Sequence, residues 1–96
     1  MKYQLRPAAR KDLSSIWAYT ADRWGIEQAD HYVTLIIEKI ENASNAPGIG
    51  SPIKGLRYSY RKLSVGSHRI YYRLSGNEML VSRILHERMD INRELS

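Results

Sequence analysis

The chain contains no cysteine, which removes disulfide frameworks, thiolate metal sites and cysteine nucleophiles from consideration and suits a reducing compartment. No apolar run approaches the roughly 20 residues that a membrane-crossing helix needs. The opening residues Met1-Lys2-Tyr3-Gln4-Leu5-Arg6 lack the apolar stretch of a signal peptide, so a cytoplasmic location is expected. Gly48, Gly50 and Gly55 lie in a proline-interrupted stretch with no helix after it, which is not the layout of a phosphate-binding loop. No serine stands in a nucleophile elbow. His31, His68 and His86 are scattered and no carboxylate cluster joins them, so neither a metal site nor a cofactor is expected.

Acidic residues are scarce in one region only. Residues 1–46 balance six basic side chains against six acidic ones, whereas residues 47–96 hold nine basic and four acidic and so carry the whole net charge of +5. From Lys54 to Arg73 there are six basic residues and no acid. A block of this kind makes a positive surface that draws in nucleic acid or an acidic protein. At 96 residues the chain has apolar surface for one core, hence a single domain over 1–96 with little room for a deep substrate pocket.

The periodicities indicate an α+β domain. Tyr3 and Leu5 alternate with Lys2, Gln4 and Arg6 in a short half-buried strand, and Pro7 is suited to the first turn of a helix. Leu13, Ile16, Trp17, Thr20 and Trp24 then recur at helical spacing up to Gly25, a natural stop. Ala29, Tyr32, Val33, Ile36, Ile37, Ile40 and Ala43 form a second helical stripe, and the short connection folds the pair into an antiparallel hairpin. The breakers Pro47, Gly48, Gly50, Pro52 and Gly55 predict an irregular loop from Ser44 to Gly55. Strands are expected over Arg57–Val65, His68–Leu74 and Glu78–His86, with turns at Gly66-Ser67 and Ser75-Gly76-Asn77. The order β-α-α-β-β-β places the hairpin on one face of a mostly antiparallel sheet.

Strict alternation in the last strand puts Leu80, Ser82 and Ile84 on one side and Met79, Val81 and Leu85 on the other. A strand apolar on both sides needs cover on both sides. One helical hairpin covers one side, and the tail Asn92–Ser96 is short and polar, so a partner polypeptide is the expected cover for the other.

The remaining chemistry is a basic-aromatic set: Lys54, Arg57, Tyr58, Tyr60, Arg61, Lys62, Arg69, Tyr71, Tyr72, Arg73 and Arg83. Such residues pair with phosphates and stack on bases. Tyrosines are equally good strand residues, and arginines keep a sheet edge solvated. His31 is expected in packing or in solvent, and His68 in hydrogen bonds that hold the fold. His86 lies near Arg83 and Arg88 at a strand end, where function concentrates.

Taken in order, the motifs resemble a known family. Leu5-x-Pro7-x-Ala9-x-x-Asp12-Leu13-x-x-Ile16-Trp17-x-Tyr19-Thr20 is similar to the first strand and helix of ParE toxins. Trp24-Gly25, Gln28-Ala29 and Tyr32 resemble their helix turn; Pro47-Gly48-x-Gly50 and Gly55-x-Arg57 resemble their loop. His68-x-Ile70-x-Tyr72-Arg73 and Arg83-x-Leu85-His86-x-x-Met89-Asp90 look like their last strands. The resemblance covers nearly the whole chain. It implies a RelE/ParE-like fold and a toxin of a type II toxin–antitoxin module. The implied partner is a ParD-like antitoxin, a ribbon-helix-helix DNA-binding protein whose C-terminal segment wraps the toxin. The implied target is DNA gyrase, blocked without catalysis, and operator DNA would be reached only through the antitoxin.

RelE-type relatives instead cut messenger RNA on the ribosome. That chemistry needs a base, an acid and cations for the phosphorane charge, for which Arg61, Arg83 and His86 are the candidates. The ending His86-Glu87-Arg88-Met89-Asp90 lacks the aromatic-rich pattern of many such nucleases, and Asp90 is expected to pair with Arg83 or Arg88 and to cap a last helical turn. The gyrase-directed reading is therefore preferred; a nontoxic binding module or decayed toxin is the third. The residues expected to contact antitoxin or target are Arg57, Arg61, Arg69, Tyr71, Arg73, Met79, Val81, Arg83 and Leu85.

Overall fold

In a computed structural model, which describes residues 1–95, the first strand β1 (Lys2–Leu5) leads directly into helix α1 (Pro7–Trp24). Pro7 occupies the first turn, where a missing N–H costs nothing. One residue, Gly25, ends α1 and begins α2 (Ile26–Asn45): its N–H donates to Ala21 O and its carbonyl accepts from Ala29 N–H. Its φ of 94° lies where side-chain-bearing residues are strained. The two helices therefore fold back as the expected hairpin. Trp17 Nε1 donates to Asp30 Oδ1 across it at 2.8 Å. Trp24 departs from the stripe: at 64% exposure it points away from the core.

Four more strands follow, β2 (Ser51–Ile53), β3 (Tyr60–Val65), β4 (His68–Ser75) and β5 (Glu78–His86). The sheet order is β1-β5-β4-β3-β2, antiparallel throughout except for the parallel β1–β5 pair. The stretch 44–55 is thus not wholly irregular. Its end pairs as an edge strand, Pro52 facing Arg61, a place where a missing N–H is tolerated. The strand expected from Arg57 starts only at Tyr60.

The core lies between hairpin and sheet. Ala9, Ile16, Ile36, Ile40 and Ala43 from the helices meet Leu63, Ile70, Tyr72, Met79, Val81 and Ile84 from the strands. Met79, Val81 and Ile84 share this face because alternation breaks at Ser82. Tyr71 pairs with Arg83 but Tyr72 with Val81, so Ser82 has no partner opposite it and forms a bulge. Leu85 consequently joins Leu80 on the far face, not Met79 and Val81 as strict alternation implied.

The far face is closed by the chain itself. Tyr71 and Leu85 are each 2% exposed there and Leu80 7%. A short third helix, α3 (Ile91–Leu95), is tied back onto this side by Glu94, which reaches Arg83 on β5 at 2.7 Å. The expected need for a partner to cover this strand is therefore met within the chain. Asp90 caps α3, its Oδ1 accepting Asn92 N–H at 3.0 Å, but it does not pair with Arg83. Ser96, the end of the tail, lies outside the described residues.

Gly66, in the β3–β4 turn, is required twice over. Its φ is 55°, and a Cβ there would sit 2.6 Å from the Tyr32 hydroxyl. That hydroxyl comes so close because it accepts Ser67 N–H at 3.2 Å. Gly66→Ala is expected to lower unfolding free energy by about 2 kcal/mol through left-handed strain and crowding together. Urea denaturation checks it; an unchanged midpoint would show that the turn relaxes freely.

Candidate functional site

Register assigns every candidate strand residue to a face. Arg61 pairs with Tyr72, so it lies on the helix side, where its Nη1 donates to Gly48 O at 3.2 Å and Gly50 O at 2.6 Å. The Tyr72 hydroxyl holds the same loop, donating to Pro47 O at 2.7 Å and accepting Gly50 N–H at 3.0 Å. Arg61 and Tyr72 thus fasten a proline-glycine loop that has no ladder of its own. Arg83 lies on the opposite face, beside Tyr71 and Lys62. The three candidate nuclease residues do not converge: Arg61 and Arg83 are separated by the thickness of the sheet.

Arg83 is also fully engaged. Its Nε and Nη2 donate to the two oxygens of Asp12 at 2.7 and 2.8 Å, a bidentate pair, while Nη1 donates to Glu94. Asp12 further accepts Ile84 N–H at 3.0 Å. The hydrogen bond to Asp12 raises the guanidinium pKa, with burial opposing it. This helix-to-strand pairing was not anticipated; the sole hint is a carboxylate placed next to the apolar stripe at Leu13 and Ile16.

Met79 and Val81 are fully buried in the core, and Tyr71 and Leu85 are buried on the far face. Of the residues expected to contact a partner, Arg57 is exposed and Arg69 and Arg73 are half-buried. Arg69 pairs with Ser64 and Leu85, and Arg73 with Leu80, so both stand on the far face with Lys62. The guanidinium groups of Arg57 and Arg73 lie 5.6 and 4.6 Å from the centre of the Tyr58 ring, which itself meets Tyr60 edge-on. Among the described residues Arg83 alone is ion-paired. Lys62, Arg69 and Arg73 therefore make no ion pair among the described residues.

The second feature is a cleft of about 710 Å³ where the end of the hairpin meets the β3–β4 turn and the end of β5. Sequence reasoning singled out His86 here but not its surroundings. Tyr19, Trp24, Tyr32, His68 and His86 line it with Thr20. Tyr19 and Trp24 meet edge-on at 6.4 Å, and Ile26, the first residue of α2, is 63% exposed. His68 and His86 are direct cross-strand neighbours whose rings meet edge-on at 5.5 Å. His68 Nδ1 lies 2.6 Å from the Tyr32 hydroxyl, which also reaches Val65 O at 3.3 Å. His68 therefore anchors the turn to α2, in line with its expected role in the fold; His31 is exposed.

Burial, then the neighbouring His86, pushes the His68 pKa below 6.5, with Glu87 opposing. A neutral imidazole is a competent base, but no arginine or lysine lines the cleft. The cleft thus offers bases without a cation to stabilise a phosphorane. Among the described residues no helix is long and apolar enough to cross a membrane.

Two measurements test this geometry. Asp12→Ala leaves Nε and Nη2 of Arg83 and the Ile84 N–H without their acceptor, and is expected to cost about 3 kcal/mol of unfolding free energy. A loss under about 1 kcal/mol would mark the pair as a surface contact only. The His68 pKa is lowered on folding, so the folded chain binds fewer protons there than the unfolded chain. Stability from this group is present above about pH 6.5 and is lost as pH falls through 6.5 to the lower folded value. Melting temperature should drop over that window, and His68→Gln should flatten the drop; an identical profile in the variant would remove His68 as its source.

Comparison with known proteins agrees with this architecture. The family model described as the ParE toxin of type II toxin-antitoxin system, parDE, matches residues 3–91. Toxin ParE1 of Mycobacterium tuberculosis is 44% identical over 95 residues, covering 98% of this chain and 97% of the relative. Toxin ParE1 of Caulobacter vibrioides is 39% identical over 93 residues, covering 97% and 96%. A solved structure described as the chromosomal ParDE TA system from P. aeruginosa shares the fold, with a TM-score of 0.79 over 90% of this chain and 95% of that one at 22% identity. By matches that run almost end to end, the chain belongs to the ParE toxin family of type II toxin–antitoxin systems.

Proposed function

We propose that this chain acts in the cytoplasm as a growth-inhibiting toxin that targets DNA gyrase without chemistry of its own, and that a ParD-like antitoxin holds it silent. The observation that carries the non-catalytic reading is the dispersal of Arg61, Arg83 and His86. Arg61 is spent on loop carbonyls, Arg83 on two carboxylates, and His86 stands in a cleft without a cation. A ribonuclease needs base, acid and positive charge within reach of one phosphate.

The antitoxin reading is supported by the cluster of Tyr19, Trp24 and Ile26. These side chains are 55%, 64% and 63% exposed; Tyr19 and Trp24 line the cleft, and Ile26 follows Trp24 across the Gly25 joint. Large apolar groups grouped at a cleft mark a surface meant to be covered. The far face of the sheet lacks such anchors, its apolar floor being buried already, so the antitoxin's apolar contacts fall at the hairpin.

Purified toxin, checked for folding by circular dichroism, is expected to inhibit gyrase supercoiling at micromolar excess, and added antitoxin to relieve it. Trp24→Ala should weaken antitoxin binding by about tenfold or more, as loss of a buried aromatic anchor does, while leaving the fold intact. Folded toxin without effect on gyrase, together with new cuts in ribosome-bound message, would transfer the chain to the nuclease reading.

A further inference from the structure

The far face of the sheet carries a concentrated positive charge that the antitoxin and gyrase readings leave unassigned. Lys62 on β3 and Arg69 and Arg73 on β4 project from it, and Arg57 joins them from the preceding loop through Tyr58. Among the described residues, Lys62, Arg69 and Arg73 donate no side-chain hydrogen bond and make no ion pair. Six of the chain's cations fall between residues 54 and 73 with no acid among them. Of the carboxylates on this side, Glu94 is committed to Arg83, and Glu78, opposite Ser75 and diagonal to Arg73, makes no ion pair among the described residues. Four cations beside one unpaired carboxylate leave a net positive face whose mutual repulsion costs stability, so the arrangement favours an anionic occupant.

Three observations narrow that occupant. Tyr60, Tyr71 and Leu85, the apolar floor, are 7%, 2% and 2% exposed, so the face has no open apolar centre of the kind a protein interface is built around. The same burial withdraws the tyrosines as stacking platforms, which single strands require. Tyr58 is the one exposed aromatic here, and its ring is already held by Arg57 and Arg73. What remains is charge without stacking and without apolar anchors, which matches the backbone of a duplex.

We propose that the face formed by Lys62, Arg69 and Arg73, extended by Arg57, binds the phosphate backbone of double-stranded DNA without reading its sequence. The antitoxin cleft lies at the hairpin end and is not part of this surface. Binding of bare duplex requires no gyrase, so this proposal and the gyrase reading stand or fall separately. Supercoiling can be inhibited by a chain that fails to bind DNA, and the reverse also holds.

The test is fluorescence anisotropy of a labelled duplex of about 20 base pairs at several salt concentrations. Three or four neutralised phosphates give a slope of about −3 in log K against log salt. Arg69→Glu and Arg73→Glu should each weaken binding by about tenfold or more. Lys11→Glu, the same charge change on the exposed side of α1, should leave it within about twofold. Because Arg73 supports Tyr58, the neutral variants Lys62→Gln and Arg69→Gln are run beside it, each expected to lower the slope by about one. Equal losses from Lys11→Glu and Arg69→Glu would reduce the effect to net charge and overturn the proposal. Tighter binding of a single-stranded oligonucleotide, or of polyglutamate, than of the duplex would overturn it as well.

Discussion

The carboxylate of Asp12 closes a gap in the sheet. β1 is four residues long and its parallel pairing with β5 ends at Leu5, after which Arg6 N–H makes a last bond to Val81 O. The remaining half of β5 would leave its edge N–H groups exposed to whatever lay beside them. Asp12, one and a half turns into α1, takes the Ile84 N–H directly and grips Arg83 by two oxygens. A single side chain therefore continues the edge that β1 abandons, docks α1 against β5 and orients the guanidinium that anchors α3. Each of these contacts is modest alone, but a partly buried carboxylate with three donors is costly to break, because every donor loses its partner at once.

Tyrosine hydroxyls take over where secondary structure stops. Tyr32 on α2 bonds the β3–β4 turn, and Tyr72 on β4 bonds the loop before β2. Both rings belong to or pack on the core, while their oxygens satisfy backbone groups in segments without a ladder. Glycine accompanies each: a Cβ at Gly50 would meet the Tyr72 hydroxyl at 2.5 Å. The small domain thus stiffens its loops with the same residues that fill its core. That leaves the surface charges of the sheet and the apolar rim of the hairpin free for partners.

The local features were readable from the chain. Alternation at Tyr3 and Leu5, the stripe from Ala29 to Ala43 and the turn at Gly25 follow from periodicities that span a few residues, and all are realised. The order β-α-α-β-β-β was legible for the same reason, and the resemblance carried by the ordered motifs matches the family found. Features set by pairing across the chain were not. β2 exists because β3 offers it an edge, not because Ser51-Pro52-Ile53 favours a strand. The bulge at Ser82 moves Leu85 to the far face, a shift that no period-two pattern contains. Arg83 finds Asp12 at 71 residues' separation, and Arg61 binds carbonyls, which sequence does not distinguish. Several residues first assigned to a contact surface are thereby interior: Met79, Val81, Tyr71 and Leu85.

The one-residue joint at Gly25 has a consequence for recognition. With the same residue closing one helix and opening the next, no slack separates Trp24 from Ile26, and their spacing and direction are fixed by two helix axes. A surface presented in this way surrenders little freedom when it is covered, so binding energy is not drained into ordering a loop. Length variation is correspondingly disruptive: an added residue at the joint would re-aim the second helix and turn its apolar stripe away from the core. The hairpin tip therefore accommodates changes of side chain more readily than insertions. A partner that learns its shape can be retuned one substitution at a time.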